Sequence, residues 1–251
     1  MDLGLRDGVY VVTGGAGGLG RACAGALVAE GARVVLSGRT AASLETAVAE
    51  LGESAVAVVA DNADPATPAR LIEAARTRWG RLDGGLLSVG GPQLGSALDA
   101  GDDAWRSSFE SVFLGAVRLC RELAEALPAG GSLALVLSSS VKAPVAGLAI
   151  SNGLRPGLAM VAKTLADELG PRRIRVNGLL PGRIDTERVA ALDAAGGDPA
   201  GARARACAAI PLGRYGEPAE FGRAAAFLLS PAASYLTGVM LPVDGGMQRS
   251  L

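Results

Sequence analysis

Val9 to Gly20 reads VYVVTGGAGGLG, an apolar run that breaks into glycines just before a helical pattern, Arg21–Glu30. This arrangement suits phosphate. A buried strand delivers the chain to a tight turn, and Gly14, Gly18 and Gly20 let backbone approach a pyrophosphate. The next helix offers its unpaired amide groups to the anion. A second apolar strand candidate at Arg33–Ser37 completes a βαβ unit of the length such a turn needs. Further along, SSSVKAP places Ser138, Ser139 and Ser140 beside Lys142, hydroxyls that can orient a carbonyl and a cation that can steady an anion. The chain has no histidine. Ser-His-Asp triads, Cys-His nucleophiles, His-ligated metals and imidazole acid–base catalysis are excluded, so any proton must pass through hydroxyls, amines, carboxylates, a cofactor or water.

The elements that must position these groups follow from pattern. Apolar strand candidates lie at Val9–Thr13, Arg33–Ser37, Ala55–Ala60, Gly85–Val89, Ser132–Ser138, Arg175–Leu180 and Val239–Val243. They alternate with helical patterns at Arg21–Glu30, Ala41–Leu51, Pro65–Trp79, Asp103–Leu127, Pro156–Gly170 and Pro218–Ser230. Alternation of this kind predicts an α/β doubly wound parallel sheet, Rossmann-like, with helices on both faces. Pro242 inside the last candidate demotes it to an edge strand or a short one. Ligands of such sheets bind beyond the carboxyl ends of the strands.

At 251 residues, with no linker, the chain reads as one domain spanning 1–251; the Gly196–Gly201 patch is a loop. The formal net charge of −1 gives no basic excess to recruit nucleic acid or an anionic membrane. Cys23, Cys120 and Cys207 lack metal-ligand spacing and point to a reducing compartment, hence a cytoplasmic protein with no metal. No apolar leader or membrane-length run is present in the sequence.

The glycine turn with this spacing, Thr13 then Gly14, Gly18 and Gly20, resembles that of the short-chain dehydrogenase/reductase family. Other marks agree along nearly the whole chain. Asp61 follows the third strand, LDGGLLSVG (Leu82–Gly90) stands at the fourth strand's end, Pro181-Gly182 opens a loop ending at Thr186, and TGVMLPVDGG (Thr237–Gly246) closes the pattern. The resemblance implies cofactor contacts at Thr13, Gly14, Gly18, Leu19, Gly20, Asp61, Asn62, Gly90, Pro181, Gly182, Ile184 and Thr186. It also implies a substrate lid over residues 187–212, with Gly91, Pro92 and Arg183 near a small-molecule substrate.

The second strand ends VVLSGRT, where a carboxylate would take a ribose 2′-hydroxyl and repel a phosphate. Gly38-Arg39 supplies no carboxylate and one guanidinium, with hydroxyls at Ser37 and Thr40. The expected cofactor is NADP(H).

The catalytic stretch departs from the family. Aligning GSLALVLSSS puts Ser138 at the family serine, and thirteen residues on, where the family has tyrosine, stands Ser151. Arg155 fills the lysine slot, Val112 that of the helix asparagine, and Leu87-Ser88 replaces Asn-Asn. An aliphatic hydroxyl titrates far above a phenol's ~10, so Ser151 is no substitute acid. Arg155 can still act as a fixed cation. With Lys142 and Arg183 it would form a cationic rim suited to a substrate carboxylate or a developing enolate. Pro156 beside it predicts a helix that starts late.

Three functions follow. The first is NADPH-dependent hydride transfer to an α,β-unsaturated carbonyl compound, because the enolate so formed needs electrostatic stabilisation rather than a phenol. The stretch also resembles an atypical branch of the family that includes the conjugated-ketone reductase of bacilysin biosynthesis, which implies secondary metabolism. The second is ordinary ketone/alcohol chemistry with Ser138 and Lys142, or water, replacing tyrosine. The third is a non-redox cofactor-binding protein: a pseudoenzyme, tautomerase or cyclase. Under each, the last helix and strand suit self-association as a homotetramer or homodimer.

Overall fold

The computed structural model describes residues 2–250. Seven strands form one sheet: β1 (Val9–Thr13), β2 (Arg33–Gly38), β3 (Ala55–Val59), β4 (Gly84–Ser88), β5 (Ser132–Val136), β6 (Arg175–Pro181) and β7 (Met240–Val243). All pair in parallel, in the order β3-β2-β1-β4-β5-β6-β7. The central strands read as continuous apolar runs because both their faces are covered, and β1 and β5 are buried at every position. Pro242 lies in β7, which pairs only with β6, so its missing amide donor costs no ladder bond on the open edge.

One core layer packs α3 (Thr67–Trp79), α5 (Gly115–Ala126) and α6 (Ala149–Leu169) on the sheet through Leu71, Leu119, Leu123 and Leu158. The opposite layer uses α1 (Gly18–Ala29), α2 (Ala41–Leu51) and α9 (Pro218–Leu229), with Leu27, Leu44 and Phe221 fully buried. Each such side chain contributes ~1.5–3 kcal/mol by leaving water. Arg175 is among the buried polar residues. Its guanidinium donates to the carbonyls of Leu228, Leu229 and Ser230, satisfying the carboxyl end of α9 inside the protein.

Two sequence expectations are corrected. The helix expected to begin at Pro156 begins at Ala149, leaving Pro156 in the interior of α6. Ile150, Ser151, Leu154 and Arg155 are buried on the early turns, and Asn152 pins the preceding loop by bonding both the amide and the carbonyl of Val145. That packing outweighs the ~3 kcal/mol a helical proline costs. The single helix expected over Asp103–Leu127 is α4 (Asp102–Ser108) and α5 joined by a wide π-type turn, Phe109–Leu114. The wide turn brings Gly115 against the Asn62 backbone so closely that a Cβ would fall 2.3 Å from the Asn62 carbonyl oxygen. The 187–212 segment holds α7 (Glu187–Ala194) and α8 (Pro199–Ala209), neither of them among the helical patterns given above.

Since β1 is flanked by β2 and β4, the chain leaves β1 towards one side and β4 towards the other. The crevice for a ligand opens there.

Candidate active site

Thr13 ends β1 fully buried, and its hydroxyl donates to the Ser88 carbonyl at 3.0 Å, joining the ends of β1 and β4. Gly14 then turns with φ +61, and the Gly15 amide donates to the Ser37 carbonyl at 2.9 Å. Gly20 presses on that turn: a Cβ there would sit 2.3 Å from the Gly14 carbonyl oxygen. By contrast, Gly17 and Gly18 face open space, and no side chain caps α1. Leu19 is partly buried on the first turn of α1. Close strand–helix packing at Gly20 and an open cradle with unpaired amides at Gly17 and Gly18 are what a pyrophosphate requires.

From this turn a cleft of about 420 Å³ runs past Arg39, Asp61, Asn62, Gly90, Pro92 and Val112. Arg39 is exposed on its wall, and no described residue bonds or pairs with it. Ser37 is buried, while Thr40 begins α2 without a side-chain capping bond. The Asp61 carboxylate accepts from the Ala63 amide at 3.0 Å. The cleft wall near Arg39 thus offers a guanidinium and hydroxyls, a donor set that fits a 2′-phosphate.

Beyond the end of β5, Ser138 accepts from the Ser140 amide at 3.1 Å and shapes the short turn Ser139–Val141. Ser151 is buried, its hydroxyl 3.4 Å from that of Ser140. Lys142 is exposed on the same loop. Arg155 is 4% exposed and donates to the carbonyls of Val136 at 2.6 Å, Val89 at 3.4 Å and Gly90 at 3.5 Å. Its Nε is buried without an acceptor. Burial, with repulsion from Arg188, lowers its pKa to about 10. The structure therefore brings Ser138, Ser140 and Ser151 together and commits Arg155 to the ends of β4 and β5.

The loop after β6 starts at Pro181 and Gly182, the latter packed against Asp244. Arg183 pairs with the buried Asp193 at 2.9 Å, and Asp193 also accepts from the Tyr215 hydroxyl at 2.9 Å. This holds Arg183 to α7. Ile184 is buried, and Thr186 caps α7 by accepting from the Val189 amide. Two residues on, Arg188 donates to the Pro92 carbonyl at 2.8 Å and lies where a Gly91 side chain would be. Arg188, Asp193 and Tyr215 went unmarked in the sequence, whereas Ser140 was marked there within the serine run as a hydroxyl that can orient a carbonyl.

A family model described as enoyl-(acyl carrier protein) reductase matches residues 14–248. The chain belongs to the short-chain dehydrogenase/reductase family. This dehydrogenase/reductase is 36% identical over 252 residues to cis-4-hydroxycyclohexanecarboxylate dehydrogenase of Sinomonas cyclohexanicum, covering 98% of each chain. It superposes on L-sorbose reductase of Gluconobacter frateurii, solved with NADPH and L-sorbose, with a TM-score of 0.93, 31% identity and complete coverage of both chains. The structure of YwfH, an NADPH-dependent reductase involved in bacilysin biosynthesis, shares the fold at a TM-score of 0.91 and 22% identity, covering 98% of this chain and all of the other.

Proposed function

We propose that this chain is an NADP(H)-dependent reductase that delivers hydride to the β-carbon of a conjugated carbonyl compound. When bound, the nicotinamide supplies the hydride; the protein must bind, orient and stabilise charge. Arg39, Ser37 and Thr40 would hold the 2′-phosphate, and the Gly14–Gly20 turn the pyrophosphate. The observation that carries the reading is the buried pair Ser151 and Arg155: a hydroxyl facing another hydroxyl, and a guanidinium spent on backbone carbonyls. Neither donates a proton readily near neutral pH. A carbonyl reduction needs such a donor as the alkoxide forms. Conjugate reduction instead needs the enolate oxygen stabilised, a task for the hydroxyls of Ser138, Ser140 and Ser151 with Lys142 on the same loop, and water then supplies the proton to the α-carbon. The enoyl reductase description of the matching family model favours this reading.

A second reading, ketone/alcohol exchange with Ser138 and Lys142 or water as proton donor, draws support from the hydroxy-acid dehydrogenase and sugar reductase relatives. The non-redox alternative predicts no hydride movement. Deuteride-labelled NADPH separates the three: label at the β-carbon supports the proposal, label at the carbinol carbon favours the second, and no transfer across a panel of enones and ketones with cofactor bound sinks both. We also propose a homotetramer, on the apolar composition and the open edge of β7.

A further inference from the structure

We propose that Arg188 is the residue that receives a carboxylate on the substrate, holding it against the Gly90–Pro92 turn. The inference rests on the reductase reading of the cleft and adds to it the substrate's charge and the group that reads it.

The argument starts from what each nearby arginine already does. Arg183 pairs with Asp193, and Arg203 pairs with both oxygens of Asp185. Arg155 is spent on the carbonyls of Val136, Val89 and Gly90. Arg188 has one neutral partner, the Pro92 carbonyl, and no carboxylate among the described residues. A guanidinium carries five donors in a planar fork that matches a two-oxygen anion, and a carbonyl uses one of them. Its position is otherwise unfavourable, since it stands in the first turn of α7, where the helix dipole disfavours a cation. An anion at this place would offset that cost.

Arg155 adds a second, independent observation. It lies close enough to Arg188 for the two charges to oppose one another, and its buried Nε has no acceptor. Two cations thus share one turn, and neither pairs with a carboxylate among the described residues. Gly91 makes the arrangement possible, because a Cβ there would fall 2.0 Å from the Arg188 Cζ. The turn it packs on, Gly90 to Pro92, also lines the cleft. A carboxylate entering beside that turn exchanges the weak carbonyl bond for a charge-assisted, bidentate one.

The test is a calorimetric titration of the full chain, alone and saturated with NADP+, with cyclohex-1-ene-1-carboxylate and with its carboxamide. Wild type should favour the acid. Arg188→Gln should weaken the acid ~10- to 100-fold, leave the carboxamide unchanged and leave NADP+ affinity intact. Arg188→Lys should recover part of the loss, and Gly91→Ala should reproduce it by displacing an intact guanidinium. The proposal is overturned if wild type does not prefer the acid or binds neither probe. It is equally overturned if Arg188→Gln weakens NADP+ while the acid-to-amide ratio stays fixed, which would make Arg188 a cofactor ligand. Acid preference that persists in a protein incapable of hydride transfer would instead strike the reductase reading and leave Arg188 in its role.

Discussion

Arg155 and Arg188 hold the same turn from two different helices. Arg155, on α6, donates to the carbonyls of Val89 and Gly90, and Arg188, on α7, donates to that of Pro92. The conformation of the loop after β4 therefore depends on α7 and on the helix carrying Ser151 together. A ligand that drew Arg188 away from Pro92 would release one of the two grips.

Arg155→Lys tests the fixed grip. An ammonium retains the charge but concentrates its donors at one point, so it can serve the Val136 carbonyl and not the carbonyls of β4's end as well. We expect a loss of ~1–3 kcal/mol, read as a lower urea midpoint at unchanged slope. An unchanged midpoint would show that the planar fork does not tie β4 to β5.

The glycine turn separates packing from ligand space. Gly20→Ala places a methyl 2.3 Å from the Gly14 carbonyl oxygen, with only backbone to yield, so stability and cofactor affinity should both fall. Gly17→Ala meets nothing within 4 Å and has an extended backbone, φ −164. Its melting temperature should stay near wild type while NADPH binding weakens, because the new methyl projects into the cradle. Equal NADPH affinity in Gly17→Ala, measured by fluorescence titration, would place the pyrophosphate elsewhere.

Much of this was legible in the sequence. Strand runs buried on both faces announce themselves by continuous apolar character, so the sheet and the glycine turn could be placed to within a residue or two. Pro156 misled because a local rule about proline met a tertiary demand: the turn carrying Ile150 and Leu154 is needed in the core. Helix α7 was missed because it buries little, Asp193 being the one residue of that helix that is buried. Arg183 illustrates the deeper limit. Its position after Pro181-Gly182 was readable, but its partner Asp193 lies ten residues on, and no spacing rule for a loop tells which charge turns back upon which. Arg188 was hidden for the same reason, since the Pro92 carbonyl it meets is 96 residues away.

Alkaline pH should destabilise the fold. Burial pushes the Cys23 and Cys120 thiols up to about 12 from 9.0, and burial, then Asp83, pushes Tyr10 up to about 12 from 10.0. Above pH 9 the unfolded chain loses these protons while the folded chain keeps them, so stability falls as pH rises towards 12. Arg155, lowered to about 10 from 12.5, and Arg175 and Arg188, lowered by burial as well, act with the opposite sign, but Arg155 begins to contribute only near pH 10, after the thiols have begun near pH 9. Urea midpoints at about pH 8 and about pH 10.5 should differ accordingly. In the native state a thiol reagent should label half-buried Cys207 first, with Cys23 and Cys120 reacting only on unfolding. Prompt labelling of all three would contradict the packed environments of the two buried thiols.

Arg39 is the residue proposed to set cofactor preference. It stands exposed at the end of β2, lines the cleft and has no bonded partner among the described residues, so its donors are available to a 2′-phosphate without breaking an existing pair. Charge-assisted hydrogen bonds of this kind contribute ~1.5–3 kcal/mol. Arg39→Ala should therefore raise the NADPH dissociation constant ~10- to 100-fold with little change for NADH, because the 2′-hydroxyl offers no charge to lose. Arg39→Glu should go further and reverse the preference, as a carboxylate at the strand end accepts from the ribose 2′-hydroxyl and repels the phosphate. The NADPH loss should shrink at high salt, where the attraction it removes is already screened. If Arg39→Glu kept its preference for NADPH, the phosphate would have to be held by Ser37, Thr40 and backbone amides alone.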